Sequence, residues 1–136
     1  MVPEGFVPVS RRQGPFNTLI GPLYERRDGD RLAIGLRVEE KHTNSRGICH
    51  GGVLATLADL ALGYAMIGKA EGRTGFVTVN LSIDYAGSAK LGEWIESDIE
   101  VQKIGSQIAF CSGYLVVGER RVVRASGVFA LSGKKA

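Results

Sequence analysis

Residues 44–63 read NSRGICHGGVLATLADLALG. A polar loop ends in His50-Gly51-Gly52, and an almost wholly apolar run follows with one acid, Asp59, inside it. Val53, Leu54, Leu57, Leu60, Ala61 and Tyr64 fall at the i, i+3, i+4, i+7 spacing of a helix that runs from Gly51 or Gly52 to about Gly68. Ala55, Ala58, Leu62 and Ala65 leave it almost no polar side, so it is expected to be buried nearly all round. An acid is rarely buried in such a place unless it is paired, so Asp59 needs a reason.

Outward from the helix, the flanks read as strands. Residues 1–15 look irregular, broken by Pro3, Pro8, Gly14 and Pro15. PLYERRD, residues 22–28, reads as a first strand, and Asp28-Gly29-Asp30 as a turn. Leu32, Ile34, Leu36 and Val38 alternate along a second strand with one buried face. After the helix, FVTVNLSIDYAG sets Val77, Val79, Leu81, Ile83 and Tyr85 against Thr78, Asn80, Ser82 and Asp84. EWIESDIEVQKIG, SQIAFCSGYLVVG and RRVVRASGVFALSG follow, separated by turns at Gly105 and Gly118. The order β-β-α-β-β-β-β predicts one α+β domain over residues 1–136 with a mostly antiparallel sheet. Six strands cannot surround so apolar a helix unless the sheet curls around it or a second subunit covers the rest.

Bulk properties exclude several classes. At 136 residues, 44% hydrophobic and 23% charged, the chain has the balance of a globular domain. A net charge of +3 is too weak for a nucleic-acid-binding surface, although it suits a small polyanionic ligand. The N-terminus does not read as a signal peptide, and the apolar stretch 53–67 is interrupted by Thr56 and Asp59 and is too short to span a bilayer. A cytoplasmic protein is expected, with no membrane partner. Cys49 and Cys111 form no CxxC pair and suggest no disulfide scaffold.

Three chemistries compete for the loop and helix. Gly47-Ile48-Cys49-His50-Gly51 has the outline of a nucleophile elbow, but KHTNSR before it shows no strand alternation. Triad partners are also missing, since His42 and His50 are the only histidines, so Cys49 reads better as a small residue at the core edge. His42, Cys49, His50 and Asp59 match no metal-site spacing, and one solvated and one loop-packing histidine is the simpler reading. Asp59 serves either a structural pairing or catalysis. It lies roughly 12 Å along the axis from Gly51, too far to share one reacting atom with the N-terminus of its own helix. Two antiparallel copies in a dimer could bring the acid of one helix to the N-terminus of the other. There, free N–H groups and the positive end of the dipole form an oxyanion hole that the glycines leave open. An apolar wall around Asp59 would make it a better base.

Asn44, Gly47, His50-Gly51-Gly52 and Asp59 together reproduce N-x-x-G-x-x-H-G-G-x-x-x-x-x-x-D. This pattern resembles that of hotdog-fold acyl-CoA thioesterases, with the closest look to the phenylacetic-acid-pathway (PaaI-like) branch. VTVNLSIDYAGSAKLGEWI is similar to that branch's central strand and the A-x-x-G-E/D turn after it, and the likeness runs over roughly residues 16–131.

The resemblance implies a long central helix wrapped by a curved antiparallel sheet of about five to six strands. It also implies homodimers with two sites at the interface, often paired into homotetramers. Carried over residue by residue, Asp59 is the general base or nucleophile and the Gly51 N–H polarises the thioester carbonyl. Asn44 helps hold water or the thioester, His50 supports the loop, and Thr78 stands where relatives place a hydroxyl near the acid. Gly52 belongs to the substrate-binding loop. Lys90, Lys103, Arg120, Arg121 and Arg124 are available for the phosphates of coenzyme A. Coenzyme A enters as part of the substrate, and no metal or redox cofactor is implied. The competing class is a non-hydrolytic hotdog acyl-CoA binder or a hotdog hydratase or dehydratase.

Overall fold

Gly29 takes φ +64°, a left-handed backbone that suits glycine, and this turns the chain between β2 (Tyr24–Asp28) and β3 (Arg31–Arg37). Asp28 and Arg31 close the hairpin as partners. Leu32, Ile34, Leu36 and Val38 are all buried, as their alternation predicts. The computed structural model describes residues 1–11, 13–67, 69 and 75–132. In it α2 (Gly51–Ala65) follows β3 after a single 3-10 turn at Glu40–His42. The sequence carries the helical pattern to Gly68, which lies outside the described residues. Four long strands complete the chain: β4 (Gly75–Tyr85), β5 (Trp94–Ile104), β6 (Ile108–Val117) and β7 (Arg120–Ser132).

With β1 (Val7–Pro8), the described residues form a seven-stranded sheet in the order β1-β2-β3-β5-β6-β7-β4, with every neighbouring pair antiparallel. That exceeds the expected five to six. The additional strand, β1, lies inside the segment read as irregular and pairs with Tyr24 and Glu25. Pro8 misled that reading, because proline is tolerated on an edge strand. A short helix, α1 (Pro15–Ile20), was also unforeseen; it begins on Pro15, whose missing N–H matters least in a first turn.

Three bulges curl the sheet. Val79 is left unpaired between Thr78 and Asn80, Gln102 between Val101 and Lys103, and Val122 between Arg121 and Val123. Each bends its strand and sharpens the local twist. Val122 and Val123 are consequently both buried, although they are consecutive in a strand. The curl encloses one side of α2. Leu54, Leu57, Ala58, Ala61 and Leu62 pack into a core with Ile34, Leu36, Ile95, Leu115 and Phe129. The burial expected all round the helix is not reached, because Gly52 is exposed and Thr56, Asp59, Leu60 and Gly63 are only partly covered.

β4 forms one edge of the sheet, with Val77 59% and Val79 61% exposed. Among the described residues, no helix is long and apolar enough to cross a membrane.

Candidate active site

The bulge at Val79 corrects the single alternating face expected for β4. Thr78 points to the helix side, where its Oγ1 donates to Asp59 Oδ1 at 2.7 Å. Past the bulge the parity reverses, so Leu81, Ile83 and Tyr85 also lie on the helix side. Without the extra residue, Thr78 and Leu81 would occupy opposite faces.

Asp59 is half-buried on the uncovered side of α2. The apolar wall expected around it is therefore only partly supplied by this chain. Beside it opens a cavity of about 410 Å³, lined by Asp59 and Thr78 together with Leu60, Gly63, Tyr64, Ile67, Phe76 and Phe129.

The N-terminus of α2 is held by its own loop. His50 is the N-cap, and its Nδ1 accepts the Gly52 N–H at 2.8 Å. That bond occupies the Gly52 amide, which is therefore not open to substrate as expected. It also fixes the proton of a neutral His50 ring on Nε2. Among the described residues none accepts the Gly51 N–H, which leaves that donor of the first turn free. The glycines are close-packed rather than simply open. A Cβ on Gly51 would sit 3.4 Å from the Tyr85 ring, and one on Gly52 would sit 3.0 Å from His50 Nδ1.

Asn44 shapes the approach to this helix. Its Oδ1 accepts from the N–H groups of Arg46 (2.9 Å) and Ile48 (3.4 Å), and its backbone N–H donates to the Ile48 carbonyl. Gly47 closes the same loop with φ +77°. His42 anchors the loop from beneath. It is buried, its Nδ1 accepts from the Glu39 N–H, its Nε2 donates to the Ile20 carbonyl, and its own carbonyl accepts from the His50 N–H. Both ring nitrogens are spent on backbone, so His42 is the loop-packing histidine and His50 the solvated one.

Cys49 is buried, and burial pushes its thiol up to about 11. The segment leading to it makes isolated bridges, Thr43 to Cys49 and Ile48 to Lys90, and not the strand an elbow requires. Cys49 thus lacks the low-pKa, accessible setting of a nucleophile.

The candidate phosphate ligands separate into two places. Lys90 adjoins the loop through a backbone bridge to Ile48. Arg120 is held nearby by the Ser88 carbonyl and by Glu93, whose carboxyl is kept below the usual carboxylate range first by the Lys90 N–H. Arg124 instead pairs with Asp84 at 2.9 Å on the face of the sheet turned away from α2, and Arg121 lies 3.8 Å over the Tyr114 ring. Neither Arg121 nor Arg124 has a described contact with the loop.

Tyr85 is the residue that the sequence reading passed over. Its hydroxyl donates to the Gly51 carbonyl at 2.8 Å and its ring covers Gly51, so β4 pins the first turn of α2. Its place on the alternating pattern was visible, but a lone tyrosine on a strand gives no signal of what it reaches.

The fold is the hotdog fold, and residues 46–124 match the Thioesterase superfamily. The Pseudomonas aeruginosa protein PA0474 is 48% identical over 96% of this chain and 97% of its own length. Acyl-coenzyme A thioesterase 13 of Homo sapiens is 43% identical over 57% of this chain and 54% of that protein. The E. coli PaaI protein from the phenylacetic acid degradation operon shares the fold, with a TM-score of 0.78, 21% identity, and coverage of 90% of this chain and 87% of its own. The chain belongs to the Thioesterase superfamily and is a thioester hydrolase.

Proposed function

We propose that the protein hydrolyses an acyl-CoA thioester to the free acid and coenzyme A. The observation that carries this reading is the Thr78–Asp59 bond at 2.7 Å on the open side of a helix whose first N–H, on Gly51, is unspent. Thr78 ties down one carboxylate oxygen and leaves the other to act. In the general-base route, Asp59 takes a proton from water, and the hydroxide formed attacks the thioester carbonyl carbon. The carbonyl oxygen gains negative charge against the Gly51 N–H and the positive end of the α2 dipole. Collapse breaks the C–S bond, the thiolate leaves and takes up the proton, and the carboxylic acid is released. In the nucleophilic route, the Asp59 carboxylate attacks the carbonyl carbon, the C–S bond breaks and the thiolate leaves. Water then cleaves the anhydride, which frees the acid, restores the carboxylate and supplies the proton the thiolate takes up.

Either route requires two chains. Asp59 lies roughly 12 Å along the helix from Gly51, so the acid of one protomer works with the Gly51 N–H of its partner. The uncovered side of α2 and the exposed edge strand β4 support a homodimer that buries both. Lys90 and Arg120, beside the loop, are the better placed of the basic residues to meet the phosphates of coenzyme A.

The test is thiol release from a panel of acyl-CoAs, followed with a thiol reagent. Turnover by the wild type that is lost in Asp59→Asn is expected. Binding of acyl-CoA without thiol release from any member of the panel would sink the reading in favour of a non-hydrolytic binder.

A further inference from the structure

We infer that Gly63 sets the size of the acyl group: its missing side chain keeps the cavity beside Asp59 open to a medium-length or aryl-ended acyl chain. This inference rests on the thioesterase reading above.

Gly63 lies in the last turn of α2. Apart from proline, glycine is the poorest helix former, so its presence within a helix calls for a cause. The backbone supplies none, because Gly63 is not among the glycines with positive φ. Packing among the described residues supplies none either. Of these, a Cβ on Gly63 would meet only Phe129, at 3.8 Å, an ordinary contact. Gly113 and Gly127 differ, since a Cβ there would fall 2.2 Å from the Asp98 carbonyl oxygen or 2.8 Å from the Phe129 ring. What borders Gly63 is the cavity.

Asp59 and Gly63 stand at i and i+4 on one stripe of the helix, and Ile67, in the turn just past its end, lines the same cavity. The cavity therefore runs from the reactive acid past Gly63, with Phe76, Phe129 and Tyr64 as aromatic walls. In the single chain its volume is about 410 Å³, more than an acetyl group fills, and it is open on the side given to the partner protomer. Gly63 sits roughly 6 Å along the axis from Asp59. A short acyl group ends before reaching it, and a longer one must pass it.

The experiment compares the wild type, Gly63→Ala and Gly63→Leu on acetyl-, butanoyl-, hexanoyl-, octanoyl- and phenylpropanoyl-CoA, with melting temperature and oligomeric state measured on each variant. In Gly63→Leu, kcat/KM for octanoyl- and phenylpropanoyl-CoA should fall by about tenfold or more, with acetyl-CoA within about twofold. Gly63→Ala should show the same trend more weakly while melting at a higher temperature, as helix propensity requires. The alanine variant carries the test if the leucine variant does not fold. An equal loss on every substrate, an unchanged profile, or loss of the oligomer without a change in profile would overturn the assignment. Octanoyl- and phenylpropanoyl-CoA responding differently would show whether the cavity takes alkyl or aryl ends. If the wild type releases thiol from none of the panel, the thioesterase reading itself fails, whereas turnover with an unaltered chain-length profile defeats only the role of Gly63.

Discussion

On the side of α2 that meets the sheet, Leu54, Leu57, Ala58, Ala61 and Leu62 are buried among strand residues. On the other side, Gly52, Thr56, Asp59 and Gly63 are left exposed or half-covered. The open residues fall at i, i+4, i+7 and i+11, one stripe of small and polar side chains on an otherwise apolar helix. What differs is size and chemistry. The covered side carries leucines and alanines that pack against the sheet, and the open side carries two glycines, a hydroxyl and an acid. A mostly apolar helix thus leaves one narrow stripe open beside the cavity at Asp59.

The sharpest way to separate the two sides is Asp59→Asn. Turnover should drop by about 100- to 10,000-fold while melting temperature and oligomer size stay close to wild type. Near-normal turnover would move the chemistry elsewhere. A complementary experiment mixes Asp59→Asn with Gly51→Pro, which removes the free N–H. Each variant alone should be inactive. Mixed dimers should regain about half the activity, since one crossed site receives both lesions and the other neither. Continued silence from a proline variant shown to be folded would place each site within one chain.

Leu57→Ala probes the covered side. It should lower unfolding free energy by about 2–5 kcal/mol in urea titration, with turnover per folded molecule unchanged. A smaller effect is expected at the hinge between the two sides. Tyr85→Phe keeps the ring against Gly51 and removes the hydroxyl bond to its carbonyl. A neutral hydrogen bond contributes about 0.5–1.5 kcal/mol, so kcat should fall by roughly 2- to 13-fold with KM nearly constant. A change confined to KM would assign Tyr85 to substrate binding instead. Smallest of all is Cys49→Ser, which should retain most activity. The native thiol, raised to about 11 by burial, should alkylate at pH 8 more slowly than a free cysteine, because less of it is thiolate.

Much of this molecule was legible in its sequence, and the failures share a cause. The buried row Leu32-Ile34-Leu36-Val38, the turn at Gly29 and the start of α2 at Gly51 each follow from local pattern and local chemistry. The bulge at Val79 does not, because Val-Thr-Val-Asn alternates perfectly and the extra residue is dictated by pairing with Phe129 and Val128. That tertiary choice turns Thr78 toward Asp59. The same holds for Tyr85 on Gly51, for His42 beneath the loop, and for the division of Lys90 and Arg120 from Arg121 and Arg124. In each case the partner is distant in sequence. The motif from Asn44 to Asp59 marked this loop and helix as the candidate site, but it could not say that His50 takes the Gly52 amide and leaves that of Gly51. β1 and α1 were hidden by prolines, which mark breaks and also begin helices and border edges.

The two ends of the sheet are very unequal: β1 offers two residues and β4 offers eleven. An open strand edge invites growth, and a sheet with two long edges could add copies without limit. Among the described residues only one edge is long enough to template a neighbour. Two chains meeting through β4 about a two-fold axis would use up that edge on both, and the stubs that remain at the outer ends are too short to recruit a third. Assembly in the plane of the sheet would then stop at two by geometry alone, so the asymmetry of the edges acts as a guard against fibre formation. Lengthening β1 into a full strand, with Pro8 removed, is the change that would lift that guard.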